Sequence, residues 1–279
     1  MATQAPAPPV ASIERLLAQR GPPTYAVNPA PTLLGALVEA LDEASSDGPD
    51  ADGGEAPATR LLVETEAFKD QVEDFLFASS LADLTDRDAV AVRTADGFLN
   101  GNLLLYPGTA VQVFDLEVRL AAVGTDEADV VAALERQAST RWEAGTAYSL
   151  RTPARTAIAD TLADQLGPDA EADFSAIVDS LETARGKGRG LDEVTIALLV
   201  AAKNEALLYD ISKWGEDVGL ASKATFSRTK STLEKLGLIA TEKVPIDVGR
   251  PRLRLKFADD RLQGATADEL ASVAMGLME

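Results

Sequence analysis

The stretch that most constrains this chain runs from Ser222 to Ile239, SKATFSRTKSTLEKLGLI. Phe226, Leu233 and Leu236 recur at helical spacing, with the Lys230 stem between them. Ser222 occupies a capping position, and Gly237 stops the helix just before a strand. The opposite face carries Lys223, Thr225, Ser227, Arg228 and Ser231. Small hydrogen-bonding side chains and cations on one helix face suit the edges of base pairs in a major groove.

The flanking sequence predicts helices over Asp192–Ala206 and Tyr209–Val218, strands over Leu238–Val244 and Arg252–Phe257, and a short last helix over Ala267–Leu277. Three helices followed by a two-stranded ribbon make a winged helix-turn-helix. Leu208 to Gly219 reads as the first helix of the motif, Leu220-Ala221 as the turn, and Ser222 as the cap of the recognition helix. Thr225-Phe-Ser-Arg228, Leu233-Glu234 and Gly237-Leu-Ile239 resemble the recognition-helix pattern of bacterial and archaeal winged-helix regulators. Two positions depart from it. Lys230 stands where an apolar residue is commoner, and Leu236 where a lysine is.

Lys223, Thr225 and Arg228 are the candidates for base edges, and Ser222, Ser227 and Thr232 for phosphates. The wing offers Arg250 and Arg252. Gly249 and Pro251 favour a turn around Arg250, and an exposed arginine there suits a narrow minor groove. The same residues also read as a solvated basic hairpin. The helix has a second reading, as a packed face of a winged helix that binds protein, against which the local charge argues.

Charge supports the nucleic-acid reading locally. The chain carries 26 basic and 45 acidic residues, a net −19. Between Arg185 and Lys256 fourteen basic residues face nine acidic ones, a net +5, so the remainder stands at −24. A basic island in an acidic chain points to a local anionic partner. The acid excess and scarce lysine resemble proteins of salt-in halophiles, whose acidic surfaces keep them hydrated.

The chain has no cysteine and no histidine. That excludes disulfides, thiolate and imidazole catalysis and the usual zinc sites. With no nucleotide-binding or catalytic motif, the expectation is a non-enzyme without cofactor or metal. No apolar run reaches a membrane span and the start is not a signal peptide, so a cytoplasmic protein is expected.

The N-terminal part reads as α/β. Residues 1–60 hold a disordered start, a helix over Ile13–Gln19 capped by Ser12, a second helix from Pro31, and an acidic loop from Ser45 to Ala58. Residues 61–184 are expected to form an α/β regulatory or dimerisation domain. Its strands lie at Leu61–Val63, Ala89–Thr94, Asn102–Tyr106 and Ala110–Val118, and a long helix spans Ala67–Leu84. Another helix follows from Thr125 to Ala144, then trailing helices from Thr152-Pro153 to Leu166 and from Asp173 to Ala184. Arg185-Gly-Lys-Gly-Arg-Gly190 reads as the linker, and 191–279 as the winged-helix domain.

With its acidity, its α/β first part and its C-terminal winged helix, the chain resembles haloarchaeal transcription regulators of the TbsP type. The resemblance implies control of central-carbon genes. The partners expected are double-stranded DNA and a second copy of the chain, with a small-metabolite ligand or a second regulator as a further partner. The alternative is an adaptor that binds another regulator without reading DNA.

Overall fold

The structure, a computed structural model, describes residues 9–46, 59–97, 101–116, 120–183, 191–245 and 251–278. The expected disordered start, most of the acidic loop, the 185–190 linker and Arg250 lie outside the described residues. The chain divides into two compact units, Met1–Leu150 and Arg151–Glu279.

The first unit is a seven-stranded mixed sheet. Its elements are α1 (Pro9–Arg20), β1 (Tyr25–Val27), α2 (Pro31–Ser46), β2 (Thr59–Val63), α3 (Thr65–Gln71), α4 (Phe75–Asp86) and β3 (Val90–Thr94), then β4 (Leu103–Tyr106), β5 (Thr109–Asp115), β6 (Leu120–Thr125), α5 (Ala128–Ala144) and β7 (Thr146–Ala147). The strand order is β6-β5-β4-β1-β2-β3-β7. Strands β1, β2 and β3 run parallel, and β4 to β7 pair antiparallel with their neighbours.

Successive strand residues point to opposite faces, and the core splits accordingly. Ala26, Leu61, Val63, Leu104 and Val111 pack with Leu33, Leu37, Phe77 and Leu81 of α2 and α4. Tyr25, Val27, Leu62, Leu103 and Leu105 pack with Val131, Ala138, Leu134 and Trp142 of α5. One face thus carries several helices and the other carries α5.

Several local expectations are corrected here. Ser12 lies inside α1 and does not start it. The helix expected over Ala67–Leu84 is two helices, because the Asp74 carboxylate accepts from the Phe77 N–H at 3.0 Å and starts a new one. Strands β1, β6 and β7 were not expected. Thr125 ends β6, and its hydroxyl accepts from the Glu127 N–H one residue before α5 begins.

The second unit is helical with a small ribbon. It comprises α6 (Arg155–Leu166), α7 (Pro168–Thr183), α8 (Glu193–Lys203), α9 (Leu208–Asp217), α10 (Lys223–Lys235), β8 (Ile239–Val244), β9 (Arg252–Phe257), α11 (Asp260–Gln263) and α12 (Ala267–Met278). Pro153 precedes the Ala154 N-cap of α6 and is not its first residue. Every residue of α8 from Val194 to Ala202 is buried, so α8 is the spine of this unit. Helix α7 packs on α6, α8 and α12.

Helices α6 and α7, expected to trail the first domain, belong with the winged helix. Trp214 of α9 is fully buried, and its indole N–H donates to the Thr161 hydroxyl of α6 at 3.1 Å. Ile158, Leu162, Phe174 and Ile177 are fully or almost fully buried. Their apolar stripes fit sequence patterns for any partner, so periodicity alone could not assign them to a unit.

Candidate nucleic-acid interface

Helix α10 is fixed by its own ends. The Ser222 hydroxyl accepts from the Thr225 N–H at 3.2 Å, satisfying one open donor of the first turn. At the other end Gly237 takes φ +74, a left-handed turn that glycine adopts without strain. Phe226 and Leu233 are buried and hold the inner face. Before it, the chain leaves α9 through Gly219 at φ +84, and the N–H groups of Leu220 and Ala221 both donate to the Gly215 carbonyl. This is a compact helix-turn-helix.

The wing hangs on the same core. Strands β8 and β9 pair antiparallel from Ile239↔Phe257 to Val244↔Arg252. A single bridge joins Leu207 to Arg254, and the Leu255 N–H donates to the Ala206 carbonyl, so the segment before α9 acts as a third short strand. Nothing in the sequence signalled it, since one bridging residue has no period.

Lys230, the apparent departure from pattern, has a structural role. Its ammonium meets Glu234 at 2.8 Å, and the other Glu234 oxygen accepts from the Thr241 hydroxyl of β8 at 2.9 Å. Burial pushes the Glu234 carboxyl up, but the bonds from Lys230 and Thr241 outweigh it and hold the group below its ordinary range. Leu236, the other departure, is 44% exposed.

Six of the ten described bases of the island are paired with carboxylates. Lys203 pairs with Asp173, Lys213 with Asp217, Lys223 with Glu216, and Lys256 with both Glu242 and Glu205, where Arg254 also reaches. The bond from Lys223 holds the Glu216 carboxyl below its ordinary range and raises the Lys223 ammonium. Arg252 lies against the Tyr209 ring, 3.5 Å from its centroid, in a cation–π contact.

The outer face of α10 is different. Ala224, Ser227, Arg228, Thr232 and Lys235 are exposed. Among the described residues the Arg228 and Lys235 side chains have neither an ion pair nor a hydrogen bond. They stand seven residues apart on one face, about 10 Å along the helix axis. The Thr232 hydroxyl donates back to the Arg228 carbonyl at 3.2 Å, and Ser222 and Thr225 hydroxyls lie 3.0 Å apart at the cap. Ala224 and Lys235 were absent from the sequence-derived candidates. Counting outward positions at i, i+4, i+7 and i+11 from Ala224 finds both.

Two family models match, and together they span nearly the whole chain. Residues 9–153 match the N-terminal domain of TbsP-like transcriptional regulators, and residues 154–275 match their C-terminal helix-turn-helix domain. The chain belongs to the TbsP-like transcriptional regulators. No curated protein and no solved structure matches it. The TbsP-like domain boundary at 153/154 falls within three residues of the structural division at 150/151. The C-terminal TbsP-like domain therefore begins at α6, well before the expected linker. Among the described residues no helix is long and apolar enough to cross a membrane, and no group of three acidic residues is placed to hold a metal ion.

Proposed function

We propose that this TbsP-like regulator binds double-stranded DNA in a sequence-specific manner, as a homodimer on a two-fold site. The observation that carries the reading is the contrast on α10. On that helix Lys223 and Lys230 are paired with carboxylates, while among the described residues Arg228 and Lys235 have no such partner and project from one exposed face.

In this reading α10 enters the major groove. Arg228 donates in bidentate fashion to a guanine edge, and Ala224 leaves room for a thymine methyl group. Lys223 and Thr225 sit at the helix start, where base edges are usually met; Lys223 first exchanges Glu216 for DNA. Ser227, Lys235, Ser222 and Thr232 hold phosphates. Ser227 is the readiest of the hydroxyls, because Thr232 already donates to the Arg228 carbonyl. From the wing, Arg252 and Arg250 approach the adjacent minor groove.

The TbsP-type resemblance supports genes of central-carbon metabolism as targets. The first unit serves dimerisation or metabolite sensing. Selection of binding sites from random duplexes tests the reading. A two-fold motif enriched by the wild type, and relaxed at one position by Arg228→Ala, is expected. No enriched motif would sink it and favour an adaptor that acts through protein contacts.

A further inference from the structure

We propose that Tyr209 is a positioning residue for DNA: its ring holds Arg252 of the wing in place, and its hydroxyl joins the Arg252 guanidinium on one backbone phosphate. The inference rests on the DNA-binding reading above and deepens it with a residue that no sequence motif singled out.

The third short strand of the wing brings the two side chains together. Leu207 bridges Arg254 in antiparallel sense, and the Leu255 N–H donates to the Ala206 carbonyl. Tyr209 stands two residues after Leu207, in the first turn of α9, and Arg252 two residues before Arg254, at the start of β9. The Arg252 guanidinium carbon lies over the ring, 3.5 Å from its centroid.

A contact through the ring face leaves the N–H edge of an arginine unspent. Among the described residues Arg252 has no carboxylate partner and donates no hydrogen bond. The Tyr209 hydroxyl also has no hydrogen-bond partner there, and the residue is 45% exposed. Guanidinium N–H and phenol O–H both donate, which suits a phosphate oxygen. Packing on the ring already restricts the long arginine, so less of its freedom is lost on binding.

The neighbouring charges leave Arg252 as the source of net attraction. The Tyr209 phenol is within electrostatic reach of the Lys213 and Lys223 ammonium groups. Each of these is matched by one carboxylate, Asp217 and Glu216 respectively. On β9, Arg254 and Lys256 are met by Glu205 and Glu242. Asp210 follows Tyr209 directly and is turned about 100° from it around the helix, whereas Lys213, one turn on, shares its face.

Position selects a DNA phosphate. With α10 in the major groove and the wing at the adjacent minor groove, the backbone that separates the grooves passes between them. Tyr209 stands there, near Lys223 at the start of α10 and against Arg252 at the start of β9.

The test is the salt dependence of binding by the full chain to two duplexes of equal length and unrelated sequence, since a phosphate contact is blind to sequence. Arg252→Ala should make the slope of log affinity against log salt shallower by about 0.9 on both duplexes, the share of one phosphate. Tyr209→Ala leaves every charge in place, yet should flatten the slope toward the Arg252→Ala value. Tyr209→Leu, which keeps apolar cover on the core, should do the same. The double variant Tyr209→Ala/Arg252→Ala should show no further flattening. Tyr209→Phe keeps the ring, so it should keep the wild-type slope and bind both duplexes about two- to ten-fold more weakly. A wild-type slope in Tyr209→Ala and Tyr209→Leu would overturn the positioning role, and wild-type affinity in Tyr209→Phe would overturn the role of the hydroxyl. Either result, with a wild type that binds, leaves the DNA-binding reading standing; a wild type that binds neither duplex at any salt would overturn both.

Discussion

A Cβ placed on Gly215 of α9 would lie 2.3 Å from Cε2 and 2.4 Å from Cζ of the Phe226 ring on α10. The two helices of the motif therefore touch through a glycine, and the ring fills the space a side chain would need. Phe226 is completely buried there. Gly215→Ala should cost about 1–3 kcal/mol, the usual penalty for overfilling a packed core. Chemical denaturation of the full chain measures it; an unchanged midpoint would mean that the helices separate freely at this point.

Arg228 and Lys235 should fail differently. Arg228→Ala should cost roughly 1–3 kcal/mol at the preferred site and little elsewhere, relaxing specificity at one base pair. Lys235→Ala should weaken binding to all duplexes alike and make the salt slope shallower by about 0.9 for each phosphate the variant leaves unneutralised. Titrations with the preferred site and its single-base variants, each at several salt concentrations, separate the two. The same loss for both variants on every duplex would remove the assigned roles.

Glu216 should act as a brake on binding. It pairs with Lys223 at 2.5 Å beside the start of α10. Glu216→Gln frees that ammonium and removes a negative charge facing the phosphates, so affinity should rise several-fold at low salt. At about 1 M salt the screening length is about 3 Å and the gain should shrink. Weaker binding by the variant at low salt would show that the pair orients Lys223 instead.

The Glu234 network predicts a pH dependence with a definite sign. Its carboxyl has a lower pKa in the folded chain than the ordinary carboxylate value. Its contribution is therefore fully present above the unfolded pKa and lost as pH falls through the folded one. Wild type should exceed Glu234→Gln by about 0.2–1 kcal/mol near neutral pH. The gap should close in acid. Thermal unfolding of both proteins across the acid range checks this, and a gap that widened in acid would refute it.

The placement of α6 and α7 also has a consequence. A fragment of residues 151–279 should unfold cooperatively. A fragment of 191–279 should not, because it strips α6 and α7 from Trp214 and from the α8 spine. Calorimetry of the two fragments decides between this boundary and the glycine-rich segment at 185–190.

The winged helix was legible because its signals are local. Ser222, Phe226, Leu233 and Gly237 fix cap, inner face and stop within one helix, and the structure agrees to one residue. Strands β1 and β7 escaped because they have three and two residues, too few for alternation to register. Strand β6 escaped because Ala-Ala-Val-Gly carries no large alternating residues. Formal charge overstated the island, since pairing across elements, as between Lys203 and Asp173, is invisible along the chain. The unit boundary followed tertiary contacts of Thr161 and Trp214, 53 residues apart, and not the most flexible composition.

The most direct measurement is genome-wide chromatin occupancy of the native protein beside an Arg228→Ala/Lys235→Ala variant. The account predicts discrete promoter peaks that share a two-fold motif and vanish in the variant, with the variant present at normal abundance. Absent peaks, or peaks unchanged in the variant, would contradict the claim that the exposed face of α10 reads DNA.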